Sequence, residues 1–124
     1  MTELVQNLDS FIPDNLIVDG SVPILTKAVE LSAGQGVLKR GTVLGKITTS
    51  GQYKIVNSTN ADGSQDADCI LADDVDTTDS VVAVAYTSGH FNRKALVFGD
   101  SDTADTHEAR LRELGIFLSD NVPY

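Results

Sequence analysis

The sequence has no tryptophan, one cysteine, one methionine, three prolines and two histidines in 124 residues, and no long apolar run. Each shortage removes a class of protein. A lone Cys69 allows no internal disulfide, so stability has to come from packing or from partners. As a catalytic thiol it lacks the basic neighbours that lower a thiol's pKa. It follows Asp66 and Asp68 and precedes Ile70-Leu71, the setting of a buried strand cysteine. No stretch approaches the ~20 apolar residues of a membrane-spanning helix. The first residues, Met1-Thr2-Glu3-Leu4-Val5-Gln6, lack the basic start and apolar run of a secretory signal. The expectation is a soluble protein made in the cytoplasm, with no membrane partner.

Bases are scarce as well, and the formal net charge is −9. The imbalance is uneven. Residues 37–60 carry Lys39, Arg40, Lys46 and Lys54 and no acid, whereas residues 61–80 carry seven aspartates and no base. Phosphate neutralisation supplies most non-specific affinity for nucleic acid, so a chain this acidic is expected not to bind DNA directly.

What is present is β-prone and rich in turns. Hydrophobic residues make up 41% of the chain, enough for one globular domain. The stretch Gly36-Val37-Leu38-Lys39-Arg40-Gly41-Thr42-Val43-Leu44-Gly45-Lys46-Ile47 organises the rest. It reads as two strands joined at Lys39–Thr42, with Gly36 and Gly41 in turns and Gly45 at a bulge or a close crossing. Lys39 and Arg40 are then displayed at the bend as possible partner contacts. Period-2 alternation from Ile24 gives a strand with Leu25, Val29 and Leu31 inward. Residues 57–68 are turn formers throughout, and residues 73–79 form an acidic loop. Val81–Thr87 is the longest β-prone run, apolar on both faces at first and so expected at the centre of a sheet. Gly89 bends the chain there, and Lys94–Phe98 is expected to pair back. Capping residues Asp100, Asp102 and Thr103, acids early, Arg110 and Arg112 late, and Gly115 as the left-handed stop predict one helix. A short strand or tuck at Ile116–Leu118 follows.

Residues 1–23 differ from everything after them. Leu4, Val5, Leu8, Phe11, Ile12, Leu16, Ile17 and Val18 are interleaved with Asp9, Asp14 and Asp19 and broken by Pro13 and Pro23. The segment is too apolar for a plain tail and too interrupted for a core element. It either packs on its own domain or docks as an arm on another subunit.

No catalytic or metal constellation stands out. Gly36-x4-Gly41 is followed by Thr42 where a phosphate loop needs lysine, and Gly45-Lys46 lacks the earlier glycine. An EF-hand register with Gly63 sixth puts Cys69 where the bidentate carboxylate belongs. His90 and His107 have no zinc spacing, and Ser88-Gly89-His90 is not a nucleophile elbow. The chain is therefore read as a non-enzyme with no cofactor.

Three pieces in order carry a likeness. They are Gly36–Gly45, then Cys69-Ile70-Leu71-Ala72-Asp73-Asp74-Val75-Asp76, then Ser88-Gly89-His90-Phe91-Asn92 followed by Leu96. With Leu111–Leu118 at the end, the chain resembles the head decoration proteins of tailed phages, the group of lambda's protein D, over about residues 15–118. The resemblance implies a mainly β fold, a small β-clip or β-tulip domain at 24–124 with one short C-terminal helix and an extended N-terminal arm at 1–23. It implies capsid cementing: homotrimers on the outside of the expanded head brace the shell against packaged DNA, with the arm adding a strand to the major capsid protein. The protein would be made in the host cytoplasm and reside in the virion. The arm's apolar residues, Leu4 to Val18 above, are then the expected capsid contacts. A second reading rests on Leu38–Leu44, which is also similar to the small antifreeze-like domains of sugar-acid enzymes. It predicts a ligand pocket beside Lys39 and Arg40.

Overall fold

The computed structural model describes residues 16–19, 23–99 and 102–119, with only the backbone of residues 18 and 19. Its longest element is the β-prone run, extended further than its glycine suggested. The strands are β1 (Ile17–Asp19), β2 (Leu25–Leu31), β3 (Val37–Leu38), β4 (Val43–Lys46), β5 (Tyr53–Ile55), β6 (Cys69–Leu71), β7 (Val75–Asp76), β8 (Val81–Asn92) and β9 (Ile116–Ser119). A 3-10 turn covers Arg93–Ala95, and helix α1 spans Ala104–Leu114. The fold is mainly β, a small barrel-like domain with one short C-terminal helix.

β8 organises the sheet. Its first half pairs antiparallel with β2, from Leu31 opposite Val81 to Leu25 opposite Ser88. Its middle pairs with β6, Ile70 opposite Tyr86 and Leu71 opposite Ala85. The neighbours β2–β5–β4–β6 complete a ring that returns to β8 and leaves few open edges. The second half of β8 lies beside β9, parallel, and β1, antiparallel. A parallel neighbour needs a crossover, and the chain through α1 provides it.

Alternation along the strands makes two cores. In β6, Cys69 and Leu71 point into one cluster with Val29, Leu31, Leu44, Tyr53, Ala83 and Ala85, while Ile70 points into the other. β4 divides likewise, with Val43 on one side and Leu44 on the other. The second cluster lies under α1 and joins Val43, Val56, Phe91, Leu111, Ile116 and Leu118. Strands buried on both faces read as continuous apolar runs, which is why β6 is so short and so apolar.

Several sequence expectations change here. β3 and β4 are not a hairpin: β3 pairs with β7, inside the stretch read as an acidic loop. The bend carries the chain onto β6 instead, where Gly41 N–H donates to Leu71 O at 2.9 Å and Leu71 N–H to Thr42 O at 2.8 Å. Leu25 faces outward at 59% exposure, because the register shifts between Leu25 and Thr26 and reverses the alternation beyond it. Gly89 lies within β8 and makes no turn. Lys94–Phe98 does not form a strand. Asn92 Oδ1 accepts from Lys94 N–H at 3.1 Å and starts the 3-10 turn, leaving only an isolated parallel bridge from Val97 to Thr42. Leu16 is 1% exposed in the core under α1 and Ile17 packs against it, upstream of the domain start expected at residue 24.

Candidate functional site

The bend at 39–42 is built by short-range bonds. Thr42 donates to Lys39 O through both its N–H, at 3.0 Å, and its hydroxyl, at 2.6 Å. Gly41 sits at φ +98°, and a Cβ there would come within 2.8 Å of Ala95 O, so two separate constraints require glycine. Arg40 is half-buried. One guanidinium nitrogen donates to Ala72 O at 2.8 Å and to Tyr86 Oη at 2.6 Å, and its backbone N–H donates to Asp74 Oδ1 at 2.7 Å. Lys39 is exposed, with Nζ 3.8 Å from Asp74. The basic and acidic stretches therefore meet within the fold, since Lys54 also lies 3.0 Å from Asp62. Arg40 braces the bend, and of the two possible partner contacts Lys39 is the more accessible.

The other glycines have distinct settings. Gly45 is a close crossing: an added Cβ would lie 2.7 Å from Ser64 Cα and collide with Ser64's carbonyl. Gly36 turns the chain before β3, and its carbonyl accepts from Thr77 N–H and Oγ1. Gly89 has the Phe91 ring against it, 2.8 Å from where a Cβ would be. Gly115 takes φ +93° and its N–H reaches Arg112 O and Leu111 O, stopping α1.

Two polar clusters were not legible as sites. Asp102, expected as a helix cap, instead accepts from Ser58 N–H, Ser58 Oγ and His107 Nε2, each at 2.7 Å. Burial opposes its charge, but the bonds from Ser58 and His107 prevail and hold the carboxyl below its usual range. His107 stacks on Phe98 with ring centroids 5.6 Å apart. The carboxylate sits between serine and histidine, so the Ser58 hydroxyl meets Asp102 rather than the imidazole, the order differs from a serine–histidine–aspartate triad, and the trio ties the loop to the helix. In the second cluster Lys27 Nζ donates to Asp68 at 2.8 Å and to Tyr53 Oη at 2.9 Å. Burial lowers the Lys27 pKa, but these two partners outweigh it and raise the value. Next to them the Cys69 thiol is pushed up to about 12, chiefly by burial and then by the charge of Asp68. A thiol so far from ionising is a core group.

A cavity of about 410 Å³ is lined by Lys46, Thr48, Gly63, Gln65, Asp66, Asp68 and Arg110. Neither Lys39 nor Arg40 lines it, so it is not the pocket the ligand-binding reading asked for. Among the described residues, no group of three or more His, Cys, Asp or Glu side chains could hold a metal ion, and no helix is long and apolar enough to cross a membrane.

Of the expected arm contacts, Leu4, Val5, Leu8, Phe11 and Ile12 lie outside the described residues, and Val18 is described in backbone only. Leu16 is buried in the core under α1, and Ile17 packs against that core. The residues that sequence reasoning missed are on β8. Val82 and Val84, expected to be covered on both faces, are 67% and 47% exposed. The signal was in the partners: a two-faced apolar strand needs cover on both sides, and Thr26, Ala28 and Glu30 of β2 already marked one side as open.

A family model described as bacteriophage lambda head decoration protein D matches residues 6–117. No curated protein matches the chain.

Proposed function

The chain belongs to the family of bacteriophage lambda head decoration protein D, and from that premise we propose that it is a cement protein of a tailed-phage head. Decoration of the capsid is the role the family carries, a structural one located in the virion. In the fuller reading, homotrimers bind the outside of the expanded shell, contact the major capsid protein and brace the head against packaged DNA. The protein is made in the host cytoplasm and acts without catalysis.

The observation that carries this reading is the reach of the match. It begins at residue 6, so the family pattern takes in most of the apolar N-terminal segment as well as the barrel. That segment is the docking arm in the proposal. It adds backbone hydrogen bonds and side-chain anchors to a strand edge of the shell, after an ordering cost of ~2–5 kcal/mol. Leu16 is buried in the core and Ile17 packs against it, which supports taking Leu4, Val5, Leu8, Phe11 and Ile12 as the leading docking residues of the proposed arm.

Co-sedimentation with expanded, undecorated heads of the cognate phage tests the function. Saturable binding of the full chain at low and at high salt is expected. Failure to pellet with cognate heads at either salt would sink it.

A further inference from the structure

We propose that the barrel opens at the joint between β2 and β5, and that the Gln35 side chain is the latch that holds this joint shut. The device belongs to the domain itself and does not depend on the cement reading. The other joints of the ring, β2–β8, β8–β6, β6–β4 and β4–β5, are antiparallel ladders. β2 and β5 are parallel, the weaker arrangement per residue, and share a single register pair, Leu31 opposite Tyr53. There Ser32 N–H donates to Tyr53 O at 2.8 Å. A continued parallel ladder would next join Ile55 N–H to Ser32 O. The carboxamide of Gln35 occupies that rung instead. Its Nε2 donates to Ser32 O at 2.8 Å and to Tyr53 O at 3.3 Å, and its Oε1 accepts from Ile55 N–H at 2.9 Å. One side-chain amide thus does the bonding of a peptide unit between two strands that have parted.

The latch has a fixed base. Gly34 N–H donates to Thr77 O at 2.7 Å and Gln35 N–H to Thr77 Oγ1 at 3.0 Å, and Thr77 is fully buried. The carboxamide can therefore leave β5 by turning about its side-chain bonds while the turn that carries it stays in place. A second clasp crosses the same joint, where Lys27 Nζ on β2 reaches Tyr53 Oη at 2.9 Å. The opposite edge of β5 is held differently. It pairs by backbone with β4, Gly45 opposite Lys54, and Val56 N–H beyond it donates to Val43 O at 2.9 Å. β5 thus has a backbone ladder on one side and mainly side-chain clasps on the other. An opening that keeps β5 on β4 breaks the fewer backbone bonds, and local openings of that kind cost less than global unfolding. Behind the joint lies the cluster of Leu31, Leu44, Tyr53 and Cys69, so an opening here admits solvent to one of the two cores.

Native-state hydrogen exchange of the full-length chain, followed amide by amide in low urea, tests the device. Ser32 and Ile55 N–H cross the joint, whereas Val56 N–H donates to Val43 O and Ala72 N–H to Val84 O elsewhere in the barrel. In the parent, the two joint amides should be at least about ten-fold less protected than the other two. Their exchange should also depend little on urea, because a local opening exposes little surface. Q35M keeps the length of the side chain and removes its three hydrogen bonds. It should lower the protection of Ser32 and Ile55 by about a further ten-fold beyond any loss shared with Val56 and Ala72. Ser32 decides the matter, because its N–H is bonded to Tyr53 and not to Gln35. A loss at Ile55 alone is only a missing acceptor and overturns the latch. Exchange of all four amides in step in the parent, or an equal loss at all four in the variant, overturns it as well. Thermal unfolding confirms that Q35M folds. If it does not, Q35E, which keeps an acceptor for Ile55 and loses the donor to Ser32 O, is read in the same way.

Discussion

Arg40 illustrates how a displayed cation can be an internal brace. Its guanidinium supplies both Ala72 O and the Tyr86 hydroxyl, groups on different segments that the bend must hold together. Replacing it with methionine keeps most of the stem packing and removes both bonds. The expected cost is about 1–3 kcal/mol in urea unfolding, as for a half-buried acceptor left without its charged donor. Lys39→Met, one residue earlier and exposed, should cost less than about 0.5 kcal/mol. Asp102 makes a parallel case with a pH signature. Its folded pKa is below the unfolded carboxylate value of ~3.9, so its contribution is complete above that pH and is lost as pH falls through the folded value. The Asp102→Asn protein should be less stable at pH 7 by about 1–3 kcal/mol. It should also lose less stability than the parent between pH 5 and pH 2. Equal acid slopes for the two proteins would remove Asp102 from the account.

Gly45 sits where β4 passes under the loop at Ser64, and it is the tightest constraint on any strand here. Gly45→Ala puts a methyl group against backbone that cannot swing aside. The expected loss is about 1–3 kcal/mol, read as a lower urea midpoint with an unchanged m-value. That close crossing was legible, because a glycine inside an apolar alternating run weakens the strand unless a bulge or a passing backbone requires it. The helix and its stop were legible too, since caps, charges and Gly115 all sit within sixteen residues. Partner choice was not. β3 looked like the first arm of a hairpin, but what decides its pairing is Thr42 closing back on Lys39 and turning the backbone toward Leu71, almost thirty residues on. The outward Leu25 was equally hidden, because a bulge is a property of two strands and the alternation of one strand cannot report it. The exposed valines on β8 follow from the same limit: β-propensity marks a strand without saying which faces will be covered. Of the candidate site, the bend and the apolar segment could be located by composition. Leu16's change of allegiance could not, since nothing local distinguishes it from Leu8 or Phe11.

That change of allegiance decides how the cement function should be dissected. If the arm ends before Leu16, removing residues 1–12 takes away only docking groups, whereas removal through Leu16 also empties a core position. Leu16→Ala alone should cost about 2–5 kcal/mol, as a fully buried leucine facing Phe91, Leu111 and Ile116 in one cluster. A protein lacking residues 1–12 should therefore unfold within a few degrees of the full chain and yet fail to pellet with expanded heads. Salt separates this arm mechanism from a charge-driven one. Exposed charges are screened beyond ~10 Å at 0.1 M ionic strength, whereas backbone pairing and buried apolar anchors are nearly indifferent to it. Binding of the full chain should change by less than about three-fold between 50 and 500 mM salt, well short of the decades lost when many charge contacts hold a complex. If the chain assembles as the proposed homotrimer, its three arms multiply the effect of each, and the truncation should then act steeply when full-length and shortened chains are mixed. A shortened chain that decorates heads as well as the full one would show that the barrel, and not the arm, carries the contact with the shell.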